Sequence, residues 1–292
     1  MLATPVLARY PYEVKLSRRD ALVGSALLVG CRTEVPEHDA STKRPSAREP
    51  NMRPTVVSAR PSVDGDRAHL LRLFPQVPGQ HRDPFVLLDD FRVSAPSGFP
   101  MHPHRGFEAF TYMLDGSFEH RDTMGNESVV TTGGTQRFTS GRGARHSEMP
   151  GTRGENRGIQ LWVNLPRRLK TLDPTYAAVH ATDLPVESRD GAIVRTIVGA
   201  GSPVELQTAV DYRDVTLPRD RRFEGELAAG WQGLVYVAEG HARVGDTELR
   251  PGQAALYVAG AFDVRALSDA RLIHLAGQPH GEPIAHRGPY VD

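Results

Sequence analysis

The sequence predicts an all-β protein built from two barrel-like units in tandem. Glycine and proline account for 28 and 23 of the 292 residues, and they separate short apolar or alternating stretches at a spacing of roughly ten residues. Residues 112–116 and 236–240 share the pattern Tyr-x-x-Asp/Glu-Gly, which indicates an internal duplication. We therefore expect one unit at residues 55–175 and another at 190–292, joined by a connector at 176–189.

Turn signals divide the first unit into strands. Asp115-Gly116 is the strongest hairpin signal in the chain, and Asp64-Gly65 is another of the same type. Between such turns the apolar and alternating runs predict strands at residues 55–60, 69–74, 85–88, 102–114, 118–122 and 159–165.

The second unit shows the same rhythm of short strands between glycine and proline turns. Its predicted strands lie at residues 193–198, 204–206, 212–217, 234–238, 242–244, 254–258, 262–266 and 271–275. No run in the chain reaches the roughly 20 apolar residues of a membrane-spanning helix.

Two short clusters in the first unit carry candidate metal ligands. They are His102-Pro103-His104 and His146-Ser147-Glu148, and each places two ligand types at positions i and i+2. In an extended strand these positions lie on the same face. Two such strands side by side could present three imidazoles and one carboxylate to one point. Imidazole suits iron, nickel, copper or zinc, and the carboxylate favours a redox-capable divalent ion such as iron.

The aligned repeat provides no equivalent ligand set in the second unit. The positions that correspond to the four candidates are filled by Glu226, Ala228, Arg265 and Leu267. We therefore expect the second unit to lack a metal site.

Composition excludes some classes of partner. Lys plus Arg and Asp plus Glu both number 35, so the formal charge is zero. There is no global electrostatic argument for nucleic-acid binding. The single cysteine, Cys31, excludes an intramolecular disulfide. We expect a monomer.

The N-terminal segment, residues 1–31, reads as an export signal. Arg18 and Arg19 precede the uncharged run at 21–30, which has the length of a signal-peptide apolar region. The run ends at Cys31 in a pattern similar to a bacterial lipobox, so the whole resembles a twin-arginine lipoprotein signal. The protein would then be exported and anchored on the envelope side of a membrane through lipid on Cys31. The alternative is a true start downstream of Met1 and a cytoplasmic protein.

Residues 32–54 are rich in proline, serine, threonine and charge and contain almost no apolar residues. Such a composition cannot bury a core, and we expect a disordered, flexible linker between the signal and the first unit.

Longer motifs resemble the pirin family of the cupin superfamily, from about residue 55 to the C-terminus. In chain order they are Phe91, the run HPHRGFE at 102–108, Thr111-Tyr112, FEHRD at 118–122, Gly141-Arg142-Gly143, HSEMP at 146–150 and LWVNLP at 161–166. The resemblance implies a bicupin, with two cupin-type barrels and one metal site in the first.

Position by position, the resemblance implies one divalent metal ion bound by His102, His104, His146 and Glu148. The family is associated with iron, so iron(II) is the first choice and nickel, copper, cobalt, manganese or zinc are alternatives. Glu108 lies on the same face as the histidines by parity, and we expect it to support the site or to pair with an arginine, Arg105 or Arg142.

The activity implied is a quercetin 2,3-dioxygenase-like oxidoreductase that acts with dioxygen on a flavonol or related aromatic substrate. Glu148 would be the catalytic base that accepts the proton of the substrate hydroxyl. The alternative is a non-catalytic iron-binding redox sensor or protein-interaction module.

Overall fold

The structure is a computed structural model that describes residues 54–292 except Thr152 and Asp190. Within this range it is all-β, as predicted, and the helical content is two 3-10 turns, Arg167–Leu169 and Ala181–Asp183. No helix in the described range is both long and apolar enough to cross a membrane. Three features lie outside the described residues and stay predictions: the signal at 1–31, the lipid on Cys31 and nearly all of the linker at 32–54.

The first unit is formed by two sheets that pack face to face. Its region of the chain contains β1 (Thr55–Ser58), β2 (Arg60–Asp64), β3 (Ala68–Phe74), β4 (Phe85–Val93), β5 (Phe99–His104), β6 (Phe107–Asp115), β7 (Ser117–Asp122), β8 (Glu127–Thr131), β9 (Thr135–Thr139), β10 (Ala144–Pro150), β11 (Asn156–Asn164) and β12 (Thr175–Val179). One sheet has the order β12-β9-β6-β11-β4-β3-β2 and the other β5-β10-β7-β8. Leu70, Phe91 and Met113 of the larger sheet pack against Phe118 and Val130 of the smaller one.

The second unit is a single sheet that curls onto itself. Its strands are β13 (Val186–Arg189), β14 (Ala192–Val198), β15 (Val210–Leu217), β16 (Arg222–Glu239), β17 (Ala242–Val244), β18 (Thr247–Leu249), β19 (Gln253–Ala266) and β20 (Ala270–Gly277), followed by the hairpin β21 (His286–Arg287) and β22 (Tyr290–Val291). The order is β13-β14-β15-β20-β16-β19-β17-β18. Val194 of β14 and Val244 of β17 share one core although their strands are far apart in this order.

The strand predictions differ from the structure in several places. The stretch 102–114 is two strands in different sheets, because the chain turns at Gly106 with a φ of 87°. The two strands expected at 254–258 and 262–266 form the single strand β19, and no strand lies at 204–206. Strand β1 pairs with β19, so the chain between residues 55 and 58 completes the sheet of the second unit. The domain boundaries themselves stay predictions.

Strand β6 is covered on both faces and joins the two units. Phe107 and Ala109 point into the first unit, whereas Phe110, Tyr112 and Leu114 pack in a core that is shared with the second unit. A strand buried on both sides must be apolar nearly throughout, which explains the continuous run of apolar residues in this part of the sequence.

Two tyrosine–aspartate hydrogen bonds cross the interface and are related by the duplication. The Tyr112 hydroxyl donates to Asp214 Oδ2 at 2.7 Å, and the Tyr236 hydroxyl donates to Asp90 Oδ2 at 2.9 Å. The same shift of 124 positions relates Tyr112 to Tyr236 and Asp90 to Asp214. Each aspartate is also held by an arginine of its own unit, and these are Arg271 and Arg157.

Candidate metal centre

Strands β5 and β10 bring three histidines of the first unit together. The strands pair antiparallel, with His146 opposite His102 and a bulge before Glu148. The ring nitrogens of His102, His104 and His146 that could bind a metal lie within 4.8 Å of one another. Thus the i, i+2 spacing and the strand pairing place the three imidazoles at one point.

The hydrogen bonds of the imidazoles leave their other nitrogens available to a cation. His102 Nδ1 lies 2.8 Å from Pro100 O, and His104 Nδ1 lies 3.3 Å from Pro289 O. A carbonyl only accepts, so each Nδ1 carries a proton, and in the neutral ring each Nε2 carries a lone pair. The two Nε2 atoms are 2.9 Å apart. Two lone pairs at this distance repel unless a cation lies between them or beside them.

His146 supports the same conclusion. It is 1% exposed, and neither of its ring nitrogens has a hydrogen-bond partner among the described residues. Buried polar atoms without partners are uncommon and require an explanation. A metal ion bound by the three histidines would supply a partner for one of these two nitrogens, so the residues present fit a metal.

The protonation of the histidines also suits metal binding. Burial and the neighbouring His102 lower the pKa of His104 to about 3. Burial and the nearby histidines lower the pKa of His146 well below its usual value. Neutral imidazole is the form that binds metal, so at neutral pH these two residues need not lose a proton first.

Glu148 lies on the wall of the same cavity as His102 and His104 and is buried. Its Oε1 accepts hydrogen bonds from Thr111 Oγ1, at 2.5 Å, and from Gln136 Nε2. Among the described residues, the group of mutually close ligand atoms comprises the three histidines and not Glu148, so the roles of Glu148 as fourth ligand and as base stay predictions.

Thr111 and Gln136 were missed by the sequence reasoning. They lie opposite each other on β6 and β9, and both side chains point into the first unit. The alternation along β6, with Phe107 and Ala109 also facing inward, is the signal that could have identified Thr111.

His120 is a supporting residue rather than a member of the cluster. Its ring stacks on Tyr176, with centroids 3.9 Å apart, and its Nε2 lies 3.2 Å from Asp122 Oδ2. These contacts hold the ring against His146, whose centroid is 5.3 Å away.

The expectation for Glu108 is confirmed in part: it pairs with an arginine, but the arginine is Arg137 and not Arg105 or Arg142. Its Oε1 accepts from Thr139 and its Oε2 accepts from the backbone N–H of Gln207 in the second unit. The charged neighbour is Arg137, at 3.7 Å. Counting alternate residues from His104 to Glu108 failed because β5 and β6 belong to different sheets. The turn at Gly106 lies between the two strands, so Glu108 does not share the face of the histidines. The arginines proposed from the sequence pair elsewhere, Arg105 with Asp292 and Arg142 with Asp173.

A cavity of about 630 Å³ opens beside the histidines. Leu70, Phe91 and Phe99 contribute apolar surface to its lining, and Trp162 lines it as well. The Trp162 Nε1 atom is buried and has no hydrogen-bond partner in the described part of the chain. The cavity is within the range of small-molecule sites and combines apolar surface with a few polar groups.

Strand pairing corrects the alignment of the second unit. In the first unit His102 lies opposite His146, and in the second unit Glu226, the residue equivalent to His102, lies opposite Ala261. Ala261 therefore occupies the position equivalent to His146. Glu148 lies opposite Phe99, and Phe223, the residue equivalent to Phe99, lies opposite Val264. Val264 therefore occupies the position equivalent to Glu148. The positions expected from the sequence, Arg265 and Leu267, were therefore wrong by a few residues.

Tandem cupin-type units, of which the first carries a three-histidine cluster, define a bicupin with one candidate metal centre. Two family models match the chain: Pirin over residues 68–163, and Pirin C-terminal cupin domain over residues 212–292. The chain belongs to the pirin family.

Relatives and solved structures agree with this assignment. The chain is 40% identical over 250 residues to a pirin-like protein of Caulobacter vibrioides, with 81% of this chain and 90% of the relative covered. It is 38% identical over 252 residues to a pirin-like protein of Arabidopsis thaliana, covering 80% and 81%. The crystal structure of a quercetin 2,3-dioxygenase from Acinetobacter baumannii matches with a TM-score of 0.75 and 30% identity, covering 81% of this chain and 90% of that one.

Proposed function

We propose that this protein is a metal-dependent dioxygenase of quercetin-type flavonols or related aromatic substrates. The observation that carries the proposal is the His102 and His104 Nε2 pair beside the unpartnered His146, on the edge of a large, partly apolar cavity. The similar Acinetobacter structure, which bears the name quercetin 2,3-dioxygenase, supports the same chemistry.

The metal would be one divalent ion held by His102, His104, His146 and Glu148, and iron(II) is our first choice because it suits a site of imidazole and carboxylate with open positions. When bound, it would supply a Lewis acid and a redox centre for reaction with dioxygen. Both oxygen atoms enter the substrate in a dioxygenase reaction, so no separate reductant is required.

The residues of the chain would bind and orient the substrate. Leu70, Phe91 and Phe99 would contact a planar aromatic ring, and the Trp162 side chain would contribute to the wall around it. Glu148 would accept the proton of the substrate hydroxyl. Its Oε1 is fixed by two hydrogen bonds, which orients the carboxylate in advance.

The first test is metal content and oxygen uptake of the purified protein. We expect about one metal ion per chain and oxygen consumption with a flavonol such as quercetin. His146→Ala should abolish both, whereas His241→Ala, which removes an exposed imidazole of the second unit, should change neither.

Retention of full metal content by the double variant His102→Ala/His146→Ala would refute the site. Normal metal content without oxygen uptake across several flavonols and catechols would refute the enzyme proposal and favour a non-catalytic iron-binding module.

For the N-terminal segment we propose export and membrane anchoring through Cys31, on sequence grounds alone. The full chain expressed in a bacterium with twin-arginine export should incorporate labelled palmitate and fractionate with membranes. Cys31→Ala should lose both properties, and unlabelled, soluble wild-type protein would contradict the proposal.

A further inference from the structure

Residues 285–292 of the second unit extend back onto the first unit beside the metal centre. We call them the docking segment. The Val291 N–H donates to Arg105 O at 2.9 Å, and Tyr290 forms a parallel bridge with Arg105. The Val291 side chain is fully buried and belongs to the core that contains Phe107. The segment is thus attached to the residue that follows His104.

Gly106 of the HPHRGFE motif makes room for this contact. Its φ is 87°, and a Cβ there would lie 1.8 Å from Val291 O. The same carbonyl accepts from Lys170 Nζ at 2.9 Å, and Lys170 also donates to Gly106 O at 2.9 Å. The motif glycine therefore serves the approach of the docking segment as well as the turn.

The outer edge of the docking segment is held by weaker, exposed contacts. Arg105 Nη2 lies 2.7 Å from Asp292 Oδ1, and the Arg105 guanidinium lies over the Tyr290 ring at 4.9 Å. These contacts can be altered without touching a histidine or the buried core.

The docking segment also reaches the metal centre itself. Pro289 O accepts the His104 Nδ1 proton at 3.3 Å, which selects the tautomer that leaves Nε2 free for metal. Gly288 and Pro289, together with His286, line the cavity. One stretch of the second unit therefore orients a ligand and forms a wall of the site.

We propose that the docking segment is a positioning element for His104, so that its docking and metal binding stabilise each other. A partner on the second nitrogen of a metal-bound histidine fixes the ring and strengthens binding. Coupling between two sites is reciprocal, so metal must hold the segment in place by the same factor by which the segment strengthens metal binding. This inference rests on the proposed metal site.

The first experiment uses the unmodified protein. Arg287 is exposed in the hairpin of the segment, so tryptic cleavage after Arg287, followed by mass spectrometry, measures how often the segment opens. We expect zinc(II) to slow this cleavage in the wild type and to have no effect in His146→Ala. Cleavage that is insensitive to zinc, in a wild-type protein that binds zinc, would overturn the inference.

The second experiment weakens the outer edge. Zinc(II) release to a colorimetric chelator should be about two- to fivefold faster in Tyr290→Ala, the effect of losing one cation–π contact. Asp292→Ala should also release zinc(II) faster. Tyr290→Phe keeps the aromatic ring and should release zinc(II) at the wild-type rate. Glu248→Ala breaks a similar exposed pair with Arg243 in the second unit and is the matched control.

The outcomes separate the two proposals. A wild-type protein that binds no zinc overturns both the metal centre and the inference. A protein that binds zinc, but releases it at the same rate in Tyr290→Ala while cleavage after Arg287 accelerates, keeps the metal centre and overturns the positioning role.

Discussion

The two tyrosine–aspartate hydrogen bonds are related by the duplication, so Tyr112 and Tyr236 should contribute equally to the stability of the interface between the units. Burial raises the pKa of Tyr112 and of Tyr236, so both phenols stay protonated and donate. A hydrogen bond to a charged group contributes about 1.5–3 kcal/mol. Because an arginine still holds each aspartate, we expect the lower half of that range, about 1.5–2 kcal/mol each, for Tyr112→Phe and Tyr236→Phe.

The double variant should lose about 3–4 kcal/mol, because the two bonds share no partner. Urea denaturation gives the free energy of unfolding in each case. Tyr212→Phe is the matched control, since Tyr212 lies in the same core and its buried hydroxyl has no hydrogen-bond partner among the described residues. This control should be neutral or stabilising. If Tyr112→Phe and Tyr236→Phe cost no more than Tyr212→Phe, the reasoning is refuted.

Three further predictions concern the surroundings of the metal centre. Gln136→Met removes a hydrogen bond to Glu148, and zinc affinity measured by chelator competition should fall about tenfold; an unchanged affinity would mean that this bond does not support the site. Burial lowers the pKa of Lys170 from 10.5 to about 8, so its acylation, followed by mass spectrometry, should be half-maximal near pH 8. Over this window the unfolded state binds more protons, so the contribution of Lys170 to stability should increase as pH rises from about 8 to about 10.5. Gly106→Ala should destabilise the protein by about 1–3 kcal/mol more than Gly125→Ala, because both have a left-handed φ but only at Gly106 would a Cβ meet another atom; equal melting temperatures would contradict this.

The sequence predicted the all-β fold from local spacing, and it predicted the histidine cluster from local spacing together with the resemblance to the pirin motifs. His102 and His104 share a face through the strand period of two, and His146 meets them because its strand is the neighbour of β5. The duplication was visible for the same reason, since the pattern around Tyr112 recurs around Tyr236 at one constant shift.

Contacts between distant segments could not be predicted in this way. Glu108 was assigned to the histidine face by counting through Gly106, but a positive φ there redirects the chain into another sheet. Nothing local in residues 55–58 indicates that they pair with β19. The Pro289 carbonyl that orients His104 comes from a segment 185 positions away.

The interiors of the two units differ, and this difference explains why the candidate metal centre lies in the first unit. The first unit keeps a cavity beside its imidazoles, whereas the inside of the second is filled by rings: Phe262 stacks on His274 with centroids 4.9 Å apart and on Tyr257 at 5.2 Å. His274 Nδ1 is bound to Asp211 at 3.2 Å within the same core. Close packing of aromatic side chains around this buried polar pair makes the interior of the second unit rigid, and a rigid neighbour supports an open site. The second unit therefore serves the first as a scaffold, through the paired tyrosines at the interface and through the docking segment that it extends to His104.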